Sequence, residues 1–176
     1  MVANAHGVEG GGFINGIKHP VFGIDHLLAM VAVGTLSVQL GGRAIWAVPL
    51  TFISVMVIGG IMGMFGIPFF ALETGIALSV LVLGVAIAFD KKMPTILSML
   101  FVGFFALFHG YAHGAEMPNL ATPALYAAGF VLATAFLHIV GISIGTISRQ
   151  ISHDSMLLRF LGAGVAGIGF SILFGL

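Results

Sequence analysis

The sequence predicts an all-α integral membrane protein, a bundle of six transmembrane helices with both termini on the outer, periplasmic side. Of its 176 residues, 59% are hydrophobic and 7% are charged, with a mean hydropathy of +1.17. Soluble domains have about 25% charged residues, so this composition excludes a soluble fold. The apolar residues occur in six runs of roughly 20 residues, which is the length that crosses about 30 Å of hydrocarbon. The lipid bilayer is therefore an expected partner.

The charged and sulfur-containing residues restrict the function further. Six Lys or Arg residues balance six Asp or Glu residues, and these 176 residues contain no cysteine. The balance leaves no basic surface, so nucleic acid is not an expected partner. Without cysteine, disulfides, thiolate metal sites and cysteine nucleophiles are excluded from this segment. A metal ion would have to be bound mainly by nitrogen and oxygen.

The first 18 residues differ from the rest in being polar and glycine-rich, and we expect them to form a flexible leader. Ala3-Asn4-Ala5 has the small-x-small form of a signal-peptidase site. We therefore expect a signal peptide and a processed N-terminus at or near His6, whose amine and imidazole together would bind metal. Residues 19–176 are expected to form one transmembrane domain.

Each predicted span lies between turn signals. The first span begins at Pro20, because a proline at a helix start loses no hydrogen bond. Glycine, proline and charged residues then separate the later apolar runs. The six predicted spans are residues 20–40, 44–65, 69–89, 93–113, 121–148 and a last segment that ends at 176.

The basic residues predict the orientation of these spans. Five of the six lie in or beside the connections after spans one, three and five, whereas Lys18 precedes span one. Positive residues are enriched on the cytoplasmic side, so these connections should face the cytoplasm and both termini the outside. The expected location is the inner membrane of a bacterium. The five residues are Arg43, Lys91, Lys92, Arg149 and Arg159.

Glycines within the spans recur four residues apart. Small residues at this spacing let membrane helices approach closely, so we assign them to helix packing. The pairs are Gly59 and Gly63, Gly110 and Gly114, Gly141 and Gly145, with a further group between Gly162 and Gly169.

Ionisable residues inside the spans are the candidate metal ligands, because such residues are costly in a bilayer and usually functional. At ~1.5 Å per helical residue, all of them except His138 fall in the outer half of the membrane. His138 lies deeper on span five. The candidates are His19, Asp25 and His26 at the mouth of span one, Glu73 near the start of span three, His109 and His113 at the end of span four, Glu116 in the outer loop that follows, and His138.

Spacing indicates which candidates share an ion. His109 and His113 are four residues apart, so their side chains lie ~5–6 Å apart on one helix face. His19 and His26 would be roughly 10 Å apart on a continuous helix and share an ion only if Pro20 or Gly23 breaks it. Asp25 either binds metal beside His26 or accepts a hydrogen bond from an imidazole.

Some of these residues also suit a purely structural role instead of metal binding. His138 suits a hydrogen-bonded packing residue, and Glu73 suits a carboxylate favoured by the dipole at a helix start. Glu116 suits a solvated loop residue, as do His153 and Asp154.

Two stretches resemble the HupE/UreJ family of nickel and cobalt membrane permeases: residues 19–34 (HPVFGIDHLLAMVAVG) and residues 108–118 (FHGYAHGAEMP). The resemblance implies uptake of nickel, or of cobalt, for supply to hydrogenase or urease. It carries over the metal-site positions His19, Asp25, His26, His109, His113 and Glu116. Glu73 and His138 depend on the estimate of depth alone.

We therefore expect a permease without catalytic residues, whose substrate is a divalent transition metal ion. Nickel is expected first, and cobalt, zinc and copper(II) also suit these donor atoms. The sequence has no nucleotide-binding motif, so transport would be downhill or coupled to membrane potential or protons. Homo-oligomerisation stays open, as does a metal-storing or metal-sensing role.

The alternative is an intramembrane zinc hydrolase of the lipid-amidase type. Its zinc ligands would be His26, His109 and His113, with Asp25 as the general base. Such an enzyme needs an open coordination position for water.

Overall fold

A computed structural model describes residues 12–116, 122–151 and 156–176 of the chain. Over these residues the protein is helical, with no strands, which confirms the all-α class. The described helices are α1 (Gly12–Phe22), α2 (Ile24–Leu40), α3 (Ala44–Met64), α4 (Leu72–Phe89), α5 (Thr95–Glu116), α6 (Pro123–Ile151) and α7 (Met156–Phe174).

Five of these helices, α3 to α7, are long and apolar enough to cross a membrane, and they correspond to the second to sixth predicted spans. The helices α1 and α2 are shorter and bend by 77° at the break between them. Together they are long and apolar enough to form one broken span, and the same bend is also typical of a re-entrant loop. The described residues therefore contain five helices that could span a membrane, or six spans if the bent pair crosses as a unit.

The start of the first span differs from the prediction. Pro20 lies inside α1 and is buried, and α2 begins at Ile24 after Gly23. Gly23 has an extended conformation, with φ −75° and ψ 109°, so the helix is interrupted there.

Residues 12–18 were expected to belong to a flexible leader, and for them this expectation is wrong. They form most of α1, which packs along α6. A Cβ atom at Gly16 would collide with the backbone carbonyl of Tyr126, and one at Gly129 would collide with that of Phe13. Small residues on both helices thus allow α1 to dock, because bare glycine lets two backbones touch.

Most of the glycines inside the spans have the packing role that was predicted, but for Gly164 and Gly167 in α7 the prediction is wrong, because an added Cβ atom there would meet nothing within 4 Å. Gly59 and Gly63 lie against the backbone of α5, and Gly110 and Gly114 lie against the backbone of α3. These two helices form the most extensive contact in the protein. Other pairs follow the same rule, with Gly84 and Gly162 between α4 and α7 and Gly34 and Gly141 between α2 and α6.

The helix α2 is at the centre of the bundle. It contacts each of the other six described helices, and 11 of its 17 residues are buried. Its sequence contains few charged residues beyond Asp25, so it can be surrounded by apolar side chains on all sides. A group at the start of α2 is therefore within reach of several helices at once.

The far end of α2 is held by cations. Arg149 Nη1 donates to the carbonyl of Val38 over 2.9 Å, and Lys92 Nζ donates to that of Gln39 over 3.3 Å. Arg159 Nε donates to the Ala88 carbonyl over 3.1 Å, near the end of α4. Positive groups are favourable at helix C-termini, where carbonyls lack partners. Three of the five basic residues that set the predicted orientation therefore cap the C-terminal ends of α2 and α4.

Candidate metal centre

The first turn of α2 holds an aspartate–histidine pair. Asp25 Oδ1 accepts a hydrogen bond from the backbone nitrogen of His26 at 2.8 Å and lies 2.9 Å from His26 Nδ1. An ionised carboxylate only accepts hydrogen bonds, so His26 Nδ1 carries the proton and Nε2 carries the lone pair. Of the two roles considered for Asp25, the structure shows contact with the imidazole.

The two histidines of α5 share one helix face, as their spacing predicts, and this face is buried in the bundle. His109 and His113 are 0% and 1% exposed. His109 Nε2 lies 2.8 Å from Ser79 Oγ on α4, and His113 Nδ1 lies 3.0 Å from Tyr126 Oη on α6. Neither partner was found from the sequence, because serine and tyrosine in separate helices give no spacing signal.

His19 joins this group because of the helix break. Its ring centroid lies 5.8 Å from that of His26 and 4.5 Å from that of His113. A continuous helix would have separated His19 from His26 by roughly 10 Å along the axis. The sequence required a break at Pro20 or Gly23 for these two rings to meet, and the structure has the break at Gly23. His19 Nδ1 also lies 3.1 Å from Tyr126 Oη.

We name His19, His26, His109 and His113 the histidine cluster. The ring of His26 is in its middle, with centroids 4.7 Å from His109 and 4.6 Å from His113, both edge to face. An ion with bonds of ~2.1 Å to nitrogen holds its imidazole rings with centroids roughly 4.5–5 Å apart. The distances from His26 to His109 and to His113 therefore lie in the range that a shared ion requires.

Three ring nitrogens in the cluster have no hydrogen-bond partner within the described part of the chain: His26 Nε2, His109 Nδ1 and His113 Nε2. Each of these rings has its other nitrogen in a hydrogen bond. Buried polar atoms are nearly always satisfied, and leaving one unsatisfied costs about 1–3 kcal/mol. These three nitrogens, on neighbouring buried rings, are therefore the candidate ligands for a cation.

The rings are close together, but their nitrogens do not converge on a common point. Among the described residues, no three or more His, Asp or Glu side chains stand in an arrangement that holds a metal ion directly. The cluster therefore brings the rings close to one another without forming a complete metal site among the described residues.

His138 lies apart from the cluster, deeper in the bundle. It is 2% exposed, and its Nδ1 donates to the carbonyl of Met30 over 2.8 Å. Its Nε2 has no partner among the described residues. The ring of Phe52 contacts both groups, with centroids 5.7 Å from His109 and 5.3 Å from His138. An apolar ring therefore stands between the two polar sites.

The other candidates are not brought into the cluster. Glu73 is exposed in the first turn of α4. Glu116 is the last residue of α5, and only its backbone is described. His6 lies outside the described residues, and so do His153 and Asp154.

An apolar cavity of about 430 Å³ lies beside the cluster, between α3, α5 and α6. His113 is the one polar side chain in its wall, and residues such as Met64, Pro123 and Val131 form the rest. A metal ion gains little from such walls, so the cavity does not mark the path of an ion.

Comparison with known proteins gives two matches. The sequence model of the family described as HupE / UreJ protein matches residues 1–172. The chain is 43% identical to the protein named HupE of Rhizobium leguminosarum bv. viciae over 175 residues, which cover 99% of this chain and 91% of that protein. No solved structure matches the chain significantly.

Proposed function

We propose, for a chain that belongs to the HupE/UreJ family, that it imports a divalent transition metal ion through the histidine cluster. Members of this family are related to nickel and cobalt transport, and the chain is a multi-pass membrane protein. We propose the inner membrane of a bacterium as its location and nickel as its first substrate, with cobalt second.

One observation carries the proposal: three buried imidazole nitrogens from α2 and α5 lack hydrogen-bond partners among the described residues, and the ring of His26 lies 4.7 Å from that of His109 and 4.6 Å from that of His113. Apolar helices rarely keep polar atoms in this condition without a ligand. Imidazole suits nickel, cobalt, zinc and copper. Because imidazole alone does not select among these metals, the choice of nickel depends on the family.

We propose a sequence of steps for the ion. His19 captures it at the outer end of the cluster, and the ion then exchanges water for nitrogen from His26, His109 and His113. Glu73, Glu116 and His6 are proposed to attract ions towards this end by their charge or their donor atoms. From the cluster the ion passes Phe52 to His138, whose Nε2 is available among the described residues.

The energy source follows from what the chain contains. The sequence has no nucleotide-binding motif, so we propose movement driven by the membrane potential or coupled to protons. A potential of 100 mV contributes about 2.3 kcal/mol for each elementary charge moved, so a divalent cation gains roughly twice that amount. Potential alone is therefore a sufficient force for uptake.

The hydrolase alternative has no support from the comparisons, which match a family of transporter type.

The test is metal flux into proteoliposomes that contain the purified protein, with nickel, cobalt, zinc and copper(II) measured separately. We expect nickel uptake in the wild type and a loss of at least tenfold in the double variant His26→Ala, His113→Ala. His153→Ala, a histidine change in the predicted connection between the last two spans, is the matched control and should keep full uptake. Uptake by the double variant at the wild-type rate would exclude the cluster as the path.

A further inference from the structure

We propose that Ser79 and Tyr126 are positioning residues that decide which nitrogen of His109 and of His113 faces the metal ion. The inference rests on the proposed function, since it concerns the same cluster. It adds two uncharged residues, on α4 and α6, whose hydroxyl groups hold the imidazoles without touching the ion.

The argument for Ser79 starts from the single proton of its hydroxyl group. Ser79 Oγ donates to the backbone carbonyl of Ile76 over 2.6 Å, and this donation uses that proton. Ser79 Oγ is also 2.8 Å from His109 Nε2. The oxygen can then only accept from the ring, so His109 Nε2 carries a proton.

This assignment leaves the lone pair of His109 on Nδ1. That nitrogen is the one without a partner among the described residues. A metal binds the lone pair of a neutral imidazole, and a hydrogen bond at the other nitrogen selects that tautomer. Free imidazole in water readily exchanges between its two tautomers, so Ser79 removes a choice that the ring would otherwise have.

Tyr126 performs the same task for two rings at once. Its Oη lies 3.0 Å from His113 Nδ1 and 3.1 Å from His19 Nδ1. A hydroxyl group has one proton, so at least one of the two imidazoles must donate to the oxygen. We assign that donation to His113, because it leaves the lone pair on Nε2, the nitrogen without a partner in the described structure.

His26, His109 and His113 then follow one rule. Asp25, Ser79 and Tyr126 each accept a hydrogen bond from one ring nitrogen, and the opposite nitrogen of that ring is unpaired within the described residues. These acceptors come from three helices, so the tautomers depend on the packing of the whole bundle.

The chain offers a matched control for each residue. Ser37 is buried like Ser79 and donates to the carbonyl three residues earlier over 2.7 Å, but no imidazole contact is described for it. Tyr111 stacks on Phe69 with centroids 4.9 Å apart and is on α5, outside the cluster. The variants Ser37→Ala and Tyr111→Phe therefore remove a hydroxyl group without changing the histidines.

The experiment measures the tautomers directly, by ¹⁵N-histidine NMR of the metal-free full-length protein in detergent. We expect the His109 signal, identified by its absence in His109→Gln, to show a proton on Nε2 in the wild type and in Ser37→Ala. In Ser79→Ala this preference should be lost, and Ser79→Thr, which keeps the hydroxyl group, should retain it. A proton on His109 Nδ1 in the wild type, or an unchanged tautomer in Ser79→Ala, would overturn the proposal for Ser79.

Nickel affinity, measured by calorimetry on the same variants, supplies the second readout. Groups that orient metal-bound histidines typically change affinity by about 10–100-fold, so Ser79→Ala and Tyr126→Phe should weaken binding by that amount. Ser37→Ala and Tyr111→Phe should change it less than twofold, and equal losses in test and control variants would refute a positioning role. If the wild type binds no metal at all, the proposed function fails, while the NMR result still decides which nitrogen Ser79 holds.

Discussion

At the scale of single residues, the site is made by pairs, each consisting of an imidazole and a polar neighbour. Each of the three central rings has one nitrogen in a hydrogen bond and one without a partner in the described structure. The neighbour is a carboxylate, a serine hydroxyl or a tyrosine hydroxyl. Because a metal ion needs a lone pair at a defined place, these neighbours are as important as the histidines themselves.

The variant Asp25→Asn tests the charged member of these neighbours. The amide keeps the shape of the side chain but loses the negative charge that fixes the proton on His26 Nδ1. We expect nickel affinity to fall by about 10–100-fold, measured by calorimetry in detergent. Asp90→Asn is the control, since Asp90 ends α4 with a φ of 50°, a conformation that asparagine adopts readily. Wild-type affinity in Asp25→Asn would show that its charge does not act on the site.

At the scale of elements, the break between α1 and α2 assembles the cluster. The bend of 77° places His19 beside His26 and His113, which a straight helix would have kept apart. The docking of α1 on α6 then holds the bend, because glycines on both helices allow the backbones to touch. The position of His19 thus depends on small residues that have no chemistry of their own.

The variant Gly16→Ala tests this dependence. Its Cβ atom would collide with the backbone carbonyl of Tyr126, and backbone cannot move aside cheaply. We expect a loss of about 1–3 kcal/mol of stability from overpacking, with weaker nickel binding because α1 carries His19.

The control for Gly16→Ala is Gly164→Ala in α7, where an added Cβ would meet nothing within 4 Å. Alanine is the better helix former, so this change should be neutral or slightly stabilising. Thermal unfolding of both variants in detergent makes the comparison. Equal melting temperatures for the two would mean that close packing of α1 on α6 is not needed.

At the scale of the whole molecule, α2 connects the two ends of the bundle. Its first turn belongs to the histidine cluster, and its last carbonyls are held by Arg149 and Lys92. It contacts all six other described helices, so a shift of α2 would change the contacts at both of its ends. The polar cluster and the cationic end are separated by most of the length of this helix.

The orientation of the bundle can be tested with single cysteines, because the chain contains none of its own. We expect Phe70→Cys and Leu176→Cys to react with a membrane-impermeant maleimide in intact cells, since both positions are exposed and predicted to face outwards. Lys91→Cys, in the exposed connection between α4 and α5, should react only after the cells are permeabilised. Labelling of Lys91→Cys in intact cells would reverse the predicted topology.

Local patterns in the sequence were sufficient for the helices and for part of the site. Apolar run length predicted α3 to α7 to within a few residues, because crossing a bilayer depends on a continuous stretch of chain. The spacing of glycines predicted the packing positions on α3, α5 and α6, because small residues four apart lie on one helix face. The pairing of His109 and His113 also followed from sequence, since residues four apart on a helix always share a face.

Only the tertiary structure decided what meets across helices. The sequence allowed a break at Pro20 or Gly23 but did not require one, and it placed α1 in a leader. Ser79 and Tyr126 gave no signal, because a hydroxyl group becomes a hydrogen-bond partner only when another helix brings an imidazole within 3 Å or so of it. The candidate ligands can thus be identified from local sequence, whereas their orientation depends on how separate helices pack.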